Sequence, residues 1–314
     1  MRKHKFSVPF DASNIKDFLS ELGKRYEYVH DVFVALPGFL NYFTKTTMEI
    51  SPDYEKVCHN FLMHTEGLFK RFVPLNADYD AMDYDTMHNS FLPALINALK
   101  SYKIDGVICS NYYMALKIRE ALPDIAIETS CNAMHWTTAI MKSWQRDIGI
   151  EVFNVPREAG RNLPWLQELH EQDIPIKLLL NEQCSPFCPY MAGFCAGHHD
   201  YDDSRGDCYI NFHPENPRFR NCIVLPRWLD KLDDIVEVYK ITGRYVPPEQ
   251  IWKTMDAYIA GKDCQMSDIV NFDKKHFEYS TAELPDKLLY CGFNDCDTKC
   301  SLCNELNKKL SLQI

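Results

Sequence analysis

"IEVFNVPREAGRNLPWLQELHEQDIPIKLLLNEQC", residues 150–184, contains two short apolar runs, 150–155 and 176–180, on either side of a stretch with a different rhythm. Leu163, Leu166 and Leu169 recur at helical spacing, and Asn162 stands before them as a residue type whose side chain caps helix N-termini. A strand, a helix and a second strand in about thirty residues make a parallel crossover, because the helix carries the chain back to the end from which it started. Arg157 and Glu158 directly follow the first run, and Cys184 directly follows the second.

The same unit repeats outward from this stretch. Runs at 72–76, 106–109 and 125–129 read as strands. "SFLPALINALKSY" (90–102) sets Phe91, Leu92, Leu95, Ile96 and Leu99 on one helical face, and "NYYMALKIREALP" (111–123) follows Ser110 as its expected cap and stops at Pro123. "KFSVPF" (5–10), "DVFVALP" (31–37) and "IVEVYKITGR" (235–244) bring the strand count to about eight, and residues 247–270 read as a helix stopped at Gly261. Eight such units predict a closed (β/α)8 TIM-like barrel. A doubly wound open sheet is the alternative, but no glycine-rich phosphate loop follows the first strand. The expected organisation is a barrel over residues 1–270 with a cysteine-rich insertion at 183–222 after strand 7, then a cysteine-rich C-terminal extension at 271–314.

Composition narrows the function. With 314 residues and 46% hydrophobic content the chain can bury a core without staples, so its 13 cysteines are not explained by small size. "MRKHKFSVPF" has no apolar core or cleavage site of an export signal, and no apolar run is long enough to cross a bilayer. The expectation is a cytoplasmic protein, where dense thiols serve metals or catalysis rather than disulfides. A net charge of −10 and a pI near 5.6 disfavour a broad grip on RNA and favour a small molecule or peptide as substrate.

Cys184, Cys188, Cys195, Cys208 and Cys222 are spaced C-x3-C-x6-C-x12-C-x13-C inside the insertion. Zinc knuckles favour paired C-x2-C, whereas iron–sulfur clusters accept thiolates from several loops, so the spacing leans towards a [4Fe–4S] cluster. Cys291, Cys296, Cys300 and Cys303, C-x4-C-x3-C-x2-C, form a compact second set that suits either a second cluster or zinc. Cys58, Cys109, Cys131 and Cys264 are isolated and read as ordinary core or surface residues. His198, His199 and His213 lie among the first set, and "GHHDYDD" (197–203) reads as a solvated loop.

These segments together resemble the U32 peptidase-like family. "IPIKLLLNEQCSPFCPY" is similar to its strand-seven segment with cluster cysteines, "VFNVPREAGRNLPWLQELHE" to its strand-six segment, and "VLPRWLDKLDDIVEVYKITGR" to the segment leading into its last strand. The resemblance covers roughly residues 70–261. It implies a TIM-like barrel holding a [4Fe–4S] cluster, with Cys184, Cys188, Cys208 and Cys222 as ligands and Cys195 able to replace Cys188. It also implies an oxidoreductase activity such as oxygen-independent hydroxylation of a small molecule, peptide or RNA base, or else a peptidase (hydrolase) activity. The C-x3-C-P form at Cys184 and the cysteine tail depart from the family pattern.

Candidate catalytic residues follow the strands. Arg157 can hold a carboxylate by a two-pronged contact and Glu158 can move protons, although a surface ion pair would read the same way. Asn132 and His135 follow strand 5, and a histidine beside Trp136 is also a common packing residue. Lys240 and Arg244, on and beyond the last strand, could balance an anionic substrate or cluster. No G-x-S-x-G elbow, H-E-x-x-H helix or serine triad is present, and Cys195 with His198 or His199 is the one local nucleophile pairing. A redox enzyme would need an electron donor or partner protein. A non-enzymatic reading makes the barrel a scaffold and the tail a docking module.

Overall fold

The computed structural model describes residues 4–11, 13–39, 52–76, 84–182, 222–243, 247–270, 277–292 and 301–311. The strands are β1 (Phe6–Pro9), β2 (Val29–Phe33), β3 (Lys70–Leu75), β4 (Gly106–Cys109), β5 (Ala126–Thr129), β6 (Phe153–Asn154), β7 (Ile176–Leu179) and β8 (Val238–Lys240). They hydrogen-bond in the order β5-β4-β3-β2-β1-β8-β7-β6. The two ends of that order meet through a parallel bridge between Glu128 and Val152. This is the (β/α)8 barrel arrangement expected from the repeating units. The chain separates into two compact units, Ser7–Pro156 with Ala192–Asp200, and Met1–Phe6 with Arg157–Met191 and Tyr201–Ile314.

In the unit spanning Ser7–Pro156, the helices are α1 (Ile15–Lys24), α2 (Pro52–His64), α3 (Leu92–Ser101), α4 (Tyr112–Ala121) and α5 (Thr138–Ile148). A π turn at Met87–Phe91 leads into α3. Leu92, Leu95 and Leu99 bury the predicted face of α3. The cap of α4 is Asn111, not Ser110: the Asn111 side chain accepts from the Met114 amide, while Ser110 Oγ donates to the Leu75 carbonyl at 3.4 Å. An amide oxygen on the residue next to the first helical turn reaches the third amide, which Ser110, one residue earlier, cannot. Phe10 stacks on Phe61 of α2 at 4.0 Å between centroids, and Phe18 of α1 meets Phe10 edge-on at 5.4 Å.

Strand register determines which residues face inward. Phe33 pairs with Phe72, Phe72 with Gly106 and Gly106 with Ala126, so these share one face with Asp31, Ile108 and Glu128. Phe33, Phe72, Ile108 and Ala126 form a buried cluster there. Gly106 is required by packing, since a Cβ would lie 2.3 Å from Phe72 Cε1. Asp31 and Glu128 approach each other although β3 and β4 separate their strands. Such a contact is made only across the inside of a barrel, where the stagger between strands brings distant positions into one layer.

The other unit carries α6 (Leu163–Glu171), α7 (Leu229–Leu232), α8 (Pro248–Ala260) and α9 (Ser301–Ser311). Asn162 caps α6 by accepting from the Trp165 amide, as its place in the sequence predicts. Gly261 stops α8 in the left-handed conformation, φ +61°. Residues 277–292 pack on this unit. Asp286 accepts hydrogen bonds from Trp228 Nε1 (2.8 Å), Arg227 Nε (3.1 Å) and Lys231 Nζ (2.6 Å).

Candidate functional site

The chain leaves β7 at Asn181 and Glu182 and is described again from Cys222. Both ends are held at the same place. The Val224 amide donates to the Leu180 carbonyl at 2.7 Å, and the Tyr258 hydroxyl of α8 donates to the carbonyls of Leu180 (3.1 Å) and Val224 (2.8 Å). Asn181 is tied to the residues after β8: its Oδ1 accepts from the Thr242 amide at 2.8 Å and its Nδ2 donates to the Thr242 carbonyl at 3.2 Å. The insertion therefore begins and ends at the C-terminal ends of β7 and β8, the end of a (β/α)8 barrel where functional loops sit.

Against this junction lies the turn after β6, a 3-10 turn at Arg157–Arg161 that is buried throughout. Gly160 makes the close approach possible. A Cβ there would lie 2.7 Å from Val224 Cγ2 and 3.4 Å from the Cys222 carbonyl oxygen. Arg161 Nε donates to the Ile223 carbonyl at 3.3 Å, and the Arg161 carbonyl accepts from the Gly292 amide at 2.9 Å, so residues 277–292 cover the far side of the turn. Arg157, 6% exposed, stands 3.9 Å from Glu182.

Arg157, Glu158, Arg161, Glu182 and Cys222 thus share one electrostatic neighbourhood. Burial pushes the Cys222 thiol well above its ordinary range, Glu158 and Glu182 push it further, and Arg157 and Arg161 oppose them. Without a metal the thiol keeps its proton, and a metal ion would displace it. As a sulfur donor, Cys222 has the chemistry of a thiolate ligand for a metal or iron–sulfur cluster, and two guanidinium and two carboxylate groups act on it. Cys184, Cys188, Cys195, Cys208, His198, His199, His213, Arg244, Cys296 and Cys300 lie outside the described residues, as does the Cys303 side chain. Cys291, half-buried, precedes the Gly292 that bonds to Arg161.

Asn132 and His135 belong to the other unit. Asn132 sits in a 3-10 turn, Cys131–Ala133, and its own amide donates to the capping Ser130 Oγ at 3.2 Å. His135 is buried against Trp144 of α5, 4.5 Å between centroids, and Phe153, 6.0 Å. Burial lowers its pKa to about 4, so the imidazole is neutral near pH 7. Its Nδ1 is buried with no hydrogen-bond partner among the described residues. Lys240 is buried on β8. Cys58 and Cys109 are buried free thiols, and Cys131 and Cys264 are half-buried ones.

The sequence reading passed over Glu182, Arg161 and Tyr258. Glu182 had a signal, an acid immediately after a buried strand, whereas Arg161 and Tyr258 act through contacts 34 to 78 residues away that no local pattern reveals.

No family model and no curated protein matches the chain. The solved structure of the U32 peptidase Mk0906 aligns over 78% of this chain and 94% of its own, with a TM-score of 0.54 and 13% sequence identity. The fold is U32-like. At that identity the likeness to the U32 peptidase concerns the barrel architecture, not the reaction. KGPDC from Streptococcus mutans aligns over 56% of this chain and 76% of its own at 13% identity, with a TM-score of 0.33, too low for any argument to rest on it. Among the described residues no helix is long and apolar enough to cross a membrane.

Proposed function

We propose that the chain is an iron–sulfur barrel enzyme of U32-like fold that carries out an oxygen-independent redox modification, of the hydroxylation type, on a small anionic molecule or peptide. The observation that carries this reading is Cys222, a buried thiol in the electrostatic reach of Arg157, Glu158, Arg161 and Glu182, whose backbone packs against Gly160. A [4Fe–4S] cluster at that point would supply one-electron transfer, or Lewis acidity if one iron site is open. Cys222 would be one ligand, with Cys184, Cys188 and Cys208 as the others and Cys195 as the alternative to Cys188.

The protein's own side chains have narrower tasks. Arg157 would grip a carboxylate of the substrate through two parallel N–H bonds, releasing its 3.9 Å contact with Glu182. Glu158, beside it on the same turn, is the candidate to accept or deliver a proton. Arg161 and Lys240 add fixed positive charge that offsets an anionic cluster or substrate. Electrons would come from a one-electron donor protein in the cytoplasm, and the tail cysteines would hold a second cluster or zinc.

Peptide hydrolysis is the second reading, favoured by the fold likeness to the U32 peptidase Mk0906. One experiment separates the two. Full-length protein purified without oxygen is treated with dithionite, re-oxidised, and incubated with gelatin and a mixed peptide library. Reversible bleaching of visible absorbance without cleavage is expected. Colourless protein that cleaves peptides would overturn the redox reading.

A further inference from the structure

The unit spanning Ser7–Pro156 contains a second group of metal-ligating side chains, and it contains no cysteine. His30 and Asp31 on β2 and Glu128 on β5 each offer one ligand atom, and these atoms all lie within 4.8 Å of one another. His30 Nδ1 is 2.8 Å from Asp31 Oδ2. Asp31 and Glu128 are buried, at 0% and 1% exposure, inside the barrel.

The surroundings are those of a coordination shell. Ser7 Oγ donates to Asp31 Oδ1 at 2.6 Å, fixing one carboxylate oxygen and leaving the other turned to the imidazole. Outer hydrogen bonds of this kind orient ligating carboxylates. Independently, Asn154 carries an unsatisfied oxygen on the same face. Val152 pairs with Glu128, so Asn154, two residues on, points to the same side of the sheet. Its Nδ2 donates to the Thr129 carbonyl at 2.7 Å, while its Oδ1, in a residue 1% exposed, has no hydrogen-bond partner. A buried amide oxygen in that condition has capacity for a donor or a cation.

The geometry points to a divalent-cation site inside the barrel, formed by His30, Asp31 and Glu128, with Asn154 Oδ1 on the same face of the sheet. One imidazole nitrogen with carboxylate and amide oxygens suits a first-row cation of the Mn2+ or Fe2+ type rather than the soft, thiolate-bound metals of the cysteine sets. The site is separate from Cys222 in ligand type and in compact unit, so it stands whether or not the chain holds a cluster.

Mn2+ tests it. Full-length protein is stripped with chelator and titrated with Mn2+, with the free ion followed by electron paramagnetic resonance. One Mn2+ bound per chain is expected. Binding should be lost in Glu128→Gln and Asp31→Asn, weakened about tenfold or more in Ser7→Ala, which keeps every ligand but frees Asp31, and retained in Cys222→Ser. If the buried-acid variants do not fold, as judged by circular dichroism, His30→Gln at the part-exposed member decides, and loss of Mn2+ there supports the site. Absence of stoichiometric Mn2+ binding in the parent protein, binding that survives His30→Gln undiminished, or binding lost in Cys222→Ser would overturn it.

Discussion

Replacing Gly160 by alanine puts the contact between the Arg157–Arg161 turn and the returning insertion under direct test. The added Cβ would stand 2.7 Å from Val224 Cγ2, where carbon atoms ordinarily rest about 3.5–4.0 Å apart. Gly160 is not among the positive-φ glycines, so the cost is steric and not a matter of backbone conformation. Relief is difficult, because Val224 is fully buried, branched at Cβ, and held by its amide on Leu180 and its carbonyl on the Tyr258 hydroxyl. Overpacking of this kind costs about 1–3 kcal/mol. Val224→Ala alone should cost about 2 kcal/mol for its two lost carbons. In the double variant the clash disappears, and its cost should fall short of the sum of the two single costs by about 1–2 kcal/mol. Urea denaturation of all four proteins under reductant measures this. A Gly160→Ala protein within about 0.5 kcal/mol of the parent, the scatter of ordinary surface substitutions, or strictly additive costs, would refute the packing argument and with it the placement of Cys222.

Three further outcomes are expected. Burial holds the His135 pKa near 4 against about 6.5 in an unfolded chain. The unfolded state therefore binds the proton first, and stability should fall as pH drops from about 6.5 to 4, by on the order of 3 kcal/mol; His135→Phe should abolish that slope in urea melts at pH 4.5 and 7.5. For Asp286, the Lys231, Trp228 and Arg227 hydrogen bonds hold the pKa down at about 2. Its contribution is present above about pH 4 and lost as pH falls through 2; the carboxyl is half-exposed, so Asp286→Asn should cost no more than about 1 kcal/mol at pH 7, and the cost should shrink as pH falls from about 4 towards 2. Finally, burial raises the thiols of Cys58, Cys109 and Cys222, whereas Cys131 and Cys291 are half-buried. Brief iodoacetamide treatment of metal-free native protein, mapped by mass spectrometry, should label Cys131 and Cys291 and spare the other three.

The strands were legible because each is a short apolar run between turn residues, and all eight runs recur as β1–β8, though β6 shortens to Phe153–Asn154. It shortens because Val152 meets β5 only as an isolated bridge, where the sheet closes. Helix caps were legible at Asn162 and Gly261 and misplaced by one residue at Ser110, where two adjacent polar residues compete and only side-chain reach chooses between them. Arg157 and Glu158 were legible as residues that follow a strand, and Cys222 as one of the insertion's cysteines. Their burial was not, since it comes from Val224, Tyr258 and Gly292, supplied from distant parts of the chain. Asp31 and Glu128 were hidden for a different reason: an acid within an apolar run looks like a solvent-facing position until register turns it inward.

The central claim is that Cys222 belongs to an iron–sulfur site at the end of β7. Iron and acid-labile sulfide, measured on full-length protein purified without oxygen beside its Cys222→Ser variant, test it most directly. The account predicts iron and sulfide in equal amounts in the parent and a clear loss of both in the variant. A parent protein with neither, or a variant that keeps both in full, would contradict it.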